Sequence, residues 1–285
     1  MTPRIESLHV YPVKSARGID LEQGRVEVRG LVATDASGRK LGCDREWMVV
    51  DRAGRFVTQR EAPRLALVGV GTGADGIELS VPHRGAVTVA VQSAGRARQV
   101  QVWESRVPAH DAGDGAAALL SAWLERDVRL VRFDDAHRRW CNLDFAGDSG
   151  AHTAFADGYP LLVIGRTSLD ELNARLAVRG HPALPMNRFR PNLVIAGLPP
   201  HDEDHLAAIV CGDVVIRPVK PCVRCQVTTT DQDSAAVGNE PLATLAGYRM
   251  SERFGGVTFG MNAVVAAGAG SRVGVGAPVS VEYVF

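Results

Sequence analysis

Short apolar runs separated by Gly, Asp and Pro fill the first hundred residues of the chain. β-branched residues recur at alternate positions in many of these runs, which is typical of half-buried strands. Residues 51–54 between two of the runs have the composition of a hairpin turn. The predicted strands are residues 5–11, 25–28, 46–51, 55–58, 64–70, 77–81, 87–91 and 98–103.

The pattern changes to helical spacing after residue 114. Leu119, Leu120, Trp123 and Leu124 form one apolar face of a helix predicted over residues 115–126, for which we expect Asp114 as the N-cap. The polar, glycine-containing residues 136–153 are expected to form a loop near a domain junction.

After this loop the pattern predicts a strand that is followed by a helix. Leu161–Gly165 is predicted as a buried strand, and Ser168 and Glu171 have the spacing of a capping box at the start of a helix in which three leucines recur at helical intervals. After residue 192 the pattern is mainly strands, with a short helix at 240–248 and a strand pair at 272–285. The chain is therefore predicted to be a β-rich α+β protein with a boundary near residues 115–150.

Composition narrows the class of protein. With 285 residues the chain exceeds the roughly 100–200 residues of a typical domain, so two domains are expected. Its 32 basic and 32 acidic residues give no net charge, which argues against nucleic-acid binding. The chain has neither a signal-like N-terminus nor an apolar stretch long enough to span a membrane. Five cysteines without framework spacing favour free thiols and a cytoplasmic location.

The most informative stretch is KPCVRCQVTTTD at residues 220–231. Cys222 and Cys225 stand beside Arg224, with Lys220 just upstream, and nearby cations favour the thiolate that ligates metals or attacks. A zinc site would need a second ligand pair, and a thioredoxin-like dithiol would open a helix, whereas residues 226–230 are predicted to continue as a strand. Two unreactive buried cysteines remain the plain alternative.

Four further motifs carry charge at turns. In MNRFRPN, residues 186–192, Arg188 and Arg190 form a cation pair suited to phosphate, although a solvated turn would also explain them. YPVKS places Lys14 after the first strand, and DREW contains Arg45. In FADGYP, Asp157 is either a turn former or a site carboxylate. Each motif alone is weak evidence.

In this order the motifs resemble, over essentially the whole chain, the family with an N-terminal MOSC β-barrel domain followed by a MOSC domain. That family includes the mitochondrial amidoxime-reducing component and its bacterial relatives. The resemblance implies an N-terminal MOSC-type barrel or α+β domain at residues 1–120 and a MOSC β-barrel domain with a few short helices at 121–285. It also implies a molybdenum cofactor (Mo-molybdopterin) between the two domains.

The resemblance assigns Cys225 as the thiolate ligand of the metal and leaves Cys222 without that role. Backbone groups of Gly158 and Tyr159 are expected to approach the cofactor. The side chains that it assigns to the phosphate and pterin are Lys14, Ser15, Arg45, Arg188, Arg190, Asn192 and Arg224. Val223 stands where relatives often have a small or hydroxyl residue, so no side-chain hydrogen bond is expected there.

The implied reaction is the two-electron reduction of an N–O bond in a small N-hydroxylated substrate, with Asp157 or solvent as proton donor. The cysteines do not have the spacing of a plant-type iron–sulfur cluster. Electrons are therefore expected from a separate ferredoxin, flavodoxin or cytochrome b5-like protein with its reductase. The alternative is a carrier of the cofactor or of sulfur that uses a Cys225 persulfide. The sequence HDEDH at 201–205 looks metal-like but is predicted to be a solvated loop.

Overall fold

The computed structural model describes residues 2–73, 75–91 and 95–284 of the chain. Strands take 43% and helices 18%, which confirms the β-rich α+β prediction. The strands of the first half are β1 Arg4–Val10, β2 Ile19–Leu21, β3 Gln23–Glu27, β4 Gly30–Thr34, β5 Lys40–Cys43, β6 Trp47–Asp51, β7 Gly69–Gly73, β8 Gly76–Val81, β9 Gly85–Ala90, β10 Ala97–Val102, β11 Ser105–Asp111 and β12 Val128–Phe133.

The second half alternates strands with short helices. Its strands are β13 Arg139–Trp140, β14 His152–Thr153, β15 Leu161–Gly165, β16 Leu193–Ala196, β17 Leu206–Cys211, β18 Val214–Val223, β19 Met250–Ser251, β20 Gly256–Ala267, β21 Arg272–Gly274 and β22 Ser280–Tyr283. The α-helices among the described residues are α1 Asp114–Leu124, α2 Leu143–Ala146, α3 Arg166–Val178 and α4 Leu242–Ala246. The 3₁₀ helices are Pro63–Leu67, Met186–Arg188, Asp202–His205 and Gln226–Thr229.

A nine-stranded sheet spans both halves of the sequence, in the order β2-β1-β16-β15-β20-β18-β17-β22, with β19 paired to β20. β1 pairs with β16, and β21 pairs with β3 in a separate sheet. Leu8, Val163, Leu193 and Ala263 are fully buried in the core of this region. Backbone hydrogen bonds therefore cross the predicted boundary between residues 120 and 121, and that division stays a prediction.

The first half contributes the sheet β10-β11-β12-β6 and helix α1. Leu120 and Trp123 of α1 are buried, and Leu119 and Leu124 pack against the same core, as the helical spacing predicts. The N-cap of α1 is Gly113, so the prediction of Asp114 as the cap is wrong. Asp114 is instead the first helical residue and forms an ion pair with Arg129 at 2.8 Å.

In the second half β15 and β16 are parallel, and α3 connects them. The predicted capping box is absent because α3 begins earlier, with Gly165 as its N-cap. The Ser168 hydroxyl instead donates to the Glu203 carboxylate at 2.7 Å, and Glu203 is fully buried. Residues 202–205 form a 3₁₀ helix with Glu203 in the core, so the prediction of a solvated loop is wrong at this residue. Burial also raises the pKa of Glu203.

Other differences lie in short segments. Residues 64–70 form a 3₁₀ helix and then β7, because Pro63 starts a tight turn that a strand does not tolerate. Residues 55–58 make only isolated bridges, and the segment 136–153 holds β13, α2 and β14 instead of one loop. The helix predicted at 240–248 is present as α4. β21 and β22 pair with β3 and β17 instead of with each other, and Phe285 lies outside the described residues.

Candidate functional site

A cavity of about 350 Å³ opens where the two halves of the chain meet, and we call it the cationic cavity. Every site residue named from the sequence lines it. These residues are Lys14, Ser15, Arg45, Asp157, Gly158, Tyr159, Arg188, Arg190, Asn192, Arg224 and Cys225. Residues from five separate motifs thus share one surface, which is the arrangement that their common use in one site requires.

The thiol of Cys225 is exposed at this cavity, whereas Cys222 is half-buried. Burial raises the pKa of the Cys222 thiol, and the charge of Arg224 offsets this only in part. β18 ends at Val223, and Cys225 is the N-cap of the 3₁₀ helix Gln226–Thr229. The predicted continuation as a strand is therefore wrong. Both cysteines line the cavity, and Cys225 is the more exposed of the two.

Hydroxyl groups explain why β-branched residues form this 3₁₀ turn. The Thr228 hydroxyl donates to the Cys225 carbonyl at 3.0 Å, and the Thr229 hydroxyl donates to the Gln226 carbonyl at 2.8 Å. Each side chain satisfies a carbonyl three residues earlier, a local contact that competes with strand pairing. Both threonines are buried, so the turn fixes the backbone of Cys225.

Arg224 joins this turn to the neighbouring strand and to the RFRPN segment. Its Nε donates to the Phe259 carbonyl at 2.8 Å, and its Nη1 donates to the Phe189 carbonyl at 2.9 Å. Its Nη2 is buried and has no hydrogen-bond partner in the part of the chain that the structure describes. A buried N–H group without a partner is costly, so this atom is a candidate ligand contact.

Tyr11 lies beside two guanidinium groups. The Cζ atoms of Arg45 and Arg190 are 4.4 Å and 4.3 Å from the centre of its ring. Burial raises the pKa of Tyr11 to about 12, so its ring is neutral at pH 7. Ser15, Arg45 and Arg190 all have positive φ, a strained conformation for side-chain-bearing residues that occurs often at functional sites.

Arg45 and Arg190 differ in how their charge is compensated. Arg45 forms an ion pair with the buried Asp44 at 2.6 Å. Arg190 donates from Nη1 to the Ala16 carbonyl at 2.7 Å, and its Nη2 has no partner among the described residues. Burial lowers the pKa of Arg190 to about 10, and the charge of Arg45 adds to that effect.

Asn192 holds this arrangement in place. Its Oδ1 accepts from the Leu162 backbone at 3.1 Å, and its Nδ2 donates to the Asp44 carboxylate at 3.0 Å and to the His9 carbonyl at 3.1 Å. The side chain is 1% exposed. Its amide is thus used inside the protein, and this geometry favours positioning of Arg45 and Asp44 over direct contact with a ligand.

Lys14 and Asp157 form an ion pair at the cavity wall. The buried Lys14 ammonium also donates to the Phe155 carbonyl at 2.9 Å. Burial by itself would raise the pKa of Asp157, but the charge and hydrogen bond of Lys14 outweigh it and hold that pKa well below its usual range. Asp157 is therefore ionised at neutral pH, and its contacts favour holding Lys14 over proton donation, which the sequence assigned to either Asp157 or solvent.

Two residues that line the cavity, and a third that bonds to its wall, carried no motif in the sequence. Arg60 and Trp103 line the cavity from the first half of the chain. Arg139 lies in the segment predicted as a loop, and it donates from Nη2 to the Asp157 carbonyl at 2.7 Å and from Nη1 to the Thr153 hydroxyl at 2.9 Å. Local sequence offers no signal for them, because their relation to the site comes only from tertiary packing.

The charges around the cavity do not balance. Three of its cations have acidic partners: Lys14 with Asp157, Arg45 with Asp44, and Arg188 with Asp231. Within residues 2–73, 75–91 and 95–284, the structure gives no ion pair to the other four cavity cations. These are Arg60, Arg190, Lys220 and Arg224. The cavity is therefore suited to a ligand that carries several negative charges.

Fold and site define a class of protein: a β-rich chain that presents one exposed thiol in a cavity built for a polyanion. Residues 2–127 match the family described as "MOSC N-terminal beta barrel domain", and residues 150–280 match the "MOSC domain". The chain belongs to the MOSC-domain family.

Curated relatives agree with this assignment. The mitochondrial amidoxime reducing component 2 of Bos taurus is 30% identical over 87% of this chain and 73% of the relative. The molybdenum cofactor sulfurase of Oryza sativa subsp. japonica is 30% identical over 90% of this chain and 32% of that longer protein. The solved YUAD protein of Bacillus subtilis aligns over 100% of this chain and 98% of its own, with 12% identity and a TM-score of 0.43.

Among the described residues, no helix is both long and apolar enough to cross a membrane.

Proposed function

We propose that this protein is a molybdenum-cofactor-dependent oxidoreductase that reduces N–O bonds of N-hydroxylated small molecules. The observation that carries the proposal is the exposed Cys225 thiol in a cavity where Arg190, Lys220 and Arg224 lack ion-pair partners among the described residues. A soft thiolate suits a redox-active metal, and the cations suit the phosphate and dithiolene of the pterin. The amidoxime-reducing relatives supply the reaction class.

The residues present fit such a cofactor. Arg188, Arg190 and Arg224 line the cavity, and each has a buried nitrogen (Nε, Nη2 and Nη2, respectively) without a partner in the described part of the chain. A Cβ added at Gly158 would meet no protein atom within 4 Å, so the backbone there borders open cavity space. These features match an anionic ligand that needs several N–H donors and one close backbone approach.

In this proposal Cys225 is the protein ligand of the metal. Backbone groups of Gly158 and Tyr159 lie against the pterin, and Asn192 orients Arg45. The side chains that hold the phosphate and pterin are Lys14, Ser15, Arg45, Arg188, Arg190 and Arg224. When bound, the cofactor supplies a two-electron redox centre, and the protein supplies its binding, orientation and electrostatic environment.

The overall reaction takes the N-hydroxylated compound, two electrons and two protons to the amine or amidine and water. Asp157 is ionised and bound to Lys14, so it has no proton to give at neutral pH. The proposal therefore draws the protons from solvent at the open side of the cavity. Electrons come from a separate ferredoxin, flavodoxin or cytochrome b5-like protein with its reductase, and a cytoplasmic location remains part of the proposal.

A second candidate is a carrier of the cofactor or of sulfur that uses a Cys225 persulfide. The similarity to the rice molybdenum cofactor sulfurase favours it, because that relative is named for a sulfur-transfer activity on the cofactor. The cations around the exposed Cys225 would also stabilise a persulfide anion on that residue. The two candidates differ in whether the cofactor-loaded protein turns over an N-hydroxylated compound.

The test is anaerobic reduction of N-hydroxybenzamidine by the cofactor-loaded protein with reduced methyl viologen as artificial donor. We expect catalytic formation of benzamidine and its loss in Cys225→Ser. In parallel, alkylation followed by mass spectrometry detects any persulfide on Cys225. No turnover by metal-loaded protein, together with a persulfide at Cys225, would replace the reductase proposal with the carrier.

A further inference from the structure

Trp103 lines the cationic cavity and packs against Phe56, which is not among the residues that line the cavity, and neither residue belongs to the motifs described above. Trp103 lies at the tip of the β10–β11 hairpin, and its ring centre is 5.1 Å from that of Phe56. The Cζ atom of Arg60 is 4.8 Å from the centre of the Trp103 ring and 5.9 Å from that of Phe56. We call Phe56, Arg60 and Trp103 the aromatic wall.

Arg60 keeps most of its hydrogen-bonding capacity free. Its Nε donates to the Thr58 hydroxyl at 3.3 Å, and in the described part of the chain it has no ion pair. The two aromatic rings and Thr58 restrain the side chain. A guanidinium in this state offers a fixed fork of N–H donors, a geometry that matches a carboxylate bidentately.

Trp103 is held in an unfavourable backbone conformation. Val102 and Ser105 pair across the hairpin, so Trp103 is the first residue of a two-residue loop, and its φ is +53°. Glycine is the residue that such positions favour, and a bulky side chain there is strained. The indole is nevertheless 40% exposed. Folding alone therefore gives little reason for a tryptophan at this position.

The indole is anchored to the cavity by one hydrogen bond. Trp103 Nε1 donates to Asp157 Oδ1 at 3.0 Å, the carboxylate that also holds Lys14. Lys14 Nζ lies 5.6 Å from the centre of the Phe56 ring. The aromatic wall is thus continuous with the cavity, and its exposed indole surface borders the space that a small molecule must enter.

We infer that the aromatic wall is a substrate subsite for planar aromatic compounds that carry a carboxylate. The aromatic ring of such a compound packs on the exposed surface of Trp103, and its carboxylate binds the fork of Arg60. The inference rests on the proposed function for the N-hydroxylated group at the other end of the molecule. The binding step itself needs neither electrons nor turnover.

The experiment measures equilibrium binding to the oxidised, cofactor-loaded protein by calorimetry, without an electron donor. The probes are N-hydroxybenzamidine and its 4-carboxy derivative. We expect the carboxylate to bind about 10-fold tighter, or more, because it adds charge-assisted hydrogen bonds. Arg60→Gln should remove this preference and leave the binding of the uncharged compound unchanged, and Arg60→Lys should restore only part of it.

One further variant tests the contribution of the Trp103 ring, and a second variant serves as the control. Trp103→Gly removes the ring at a φ that glycine adopts without strain, so the hairpin is expected to fold. It should weaken both compounds by a similar factor of about 5–10. Arg106→Gln is the matched control, because Arg106 is exposed on the same hairpin and is not among the residues that line the cavity. It should leave both dissociation constants unchanged.

Metal and pterin content is measured for each variant. Loss of the cofactor in Arg60→Gln would overturn the inference, since Arg60 would then belong to the cofactor site. An unchanged preference for the carboxylate in Arg60→Gln would overturn it as well. If the wild type shows the preference and Arg60→Gln loses it, but N-hydroxybenzamidine is never reduced, the subsite stands and the proposed reaction fails.

Discussion

At the scale of the residue, the cavity arginines differ in whether their buried charge has a partner. Arg45 forms an ion pair with Asp44 at 2.6 Å, whereas Arg190 has no ion pair among the described residues. Burial lowers the pKa of Arg190 to about 10, so the folded protein holds its charge at a cost at pH 7. We interpret this loss of folding stability as the consequence of a site whose cations are positioned to bind an anion.

Substitution of Arg45 and Arg190 distinguishes a buried charge that has an ion-pair partner from one that has none. Arg190→Met removes an uncompensated buried charge and should raise the melting temperature of the cofactor-free protein while lowering its pterin content. Arg45→Met leaves the buried Asp44 carboxylate without an ion-pair partner. It should reduce the free energy of unfolding by about 3–5 kcal/mol. Thermal and chemical denaturation check both. Equal destabilisation by the two substitutions would contradict this account of Arg190.

Asp157 gives a pH dependence at the same scale. Its pKa is lower in the folded protein than in the unfolded chain because, although burial acts to raise it, Lys14 outweighs burial. The stability that it contributes is therefore present above its unfolded pKa of about 4 and is lost as pH falls. The difference in free energy of unfolding between wild type and Asp157→Asn should narrow from pH 5 to pH 3. A difference that stays constant or widens over this range would refute the ion-pair assignment.

At the scale of the element, the long amphipathic segments were predictable and the turn at Cys225 was not. The apolar face of α1 follows from helical periodicity, and the buried strand β15 follows from a continuous apolar run. Residues 226–230 look like a strand because they are β-branched, but hydroxyl-to-carbonyl bonds from Thr228 and Thr229 turn the chain into a 3₁₀ helix. Side-chain contacts of this kind are invisible to periodicity, which is why the structure overrides the prediction here.

Two adjacent threonines test that explanation. The hydroxyl of Thr229 is bonded, whereas the buried hydroxyl of Thr230 has no partner in the part of the chain that the structure describes. Thr229→Val should lower the free energy of unfolding by about 1 kcal/mol, and Thr230→Val should be neutral or stabilising. Urea denaturation of the pair measures the difference. The same loss in both variants would mean that the hydroxyl bond does not hold the turn.

At the scale of the whole molecule, the sequence motifs identified many of the residues in the site. Tertiary packing determines which other residues surround them. Lys14, Arg45, Arg190 and Cys225 were named from the sequence because their motifs occur together and resemble one family. Arg60 and Trp103, which line the cavity, and Arg139, which donates to the Asp157 carbonyl, were missed because they lie in segments that carry no such motif. Strand pairs that cross the predicted domain boundary, β1 with β16 and β21 with β3, also leave no local signal.

The most direct test of the central claim is the molybdenum and pterin content of protein purified from a cofactor-producing host. We compare the wild type with Cys225→Ser and with Cys222→Ser as the matched control. We expect near-stoichiometric metal and pterin in the wild type, their retention in Cys222→Ser, and loss of the metal or a changed metal spectrum in Cys225→Ser. A wild type without metal or pterin, or a Cys225→Ser protein with the same metal content and spectrum as the wild type, would contradict it.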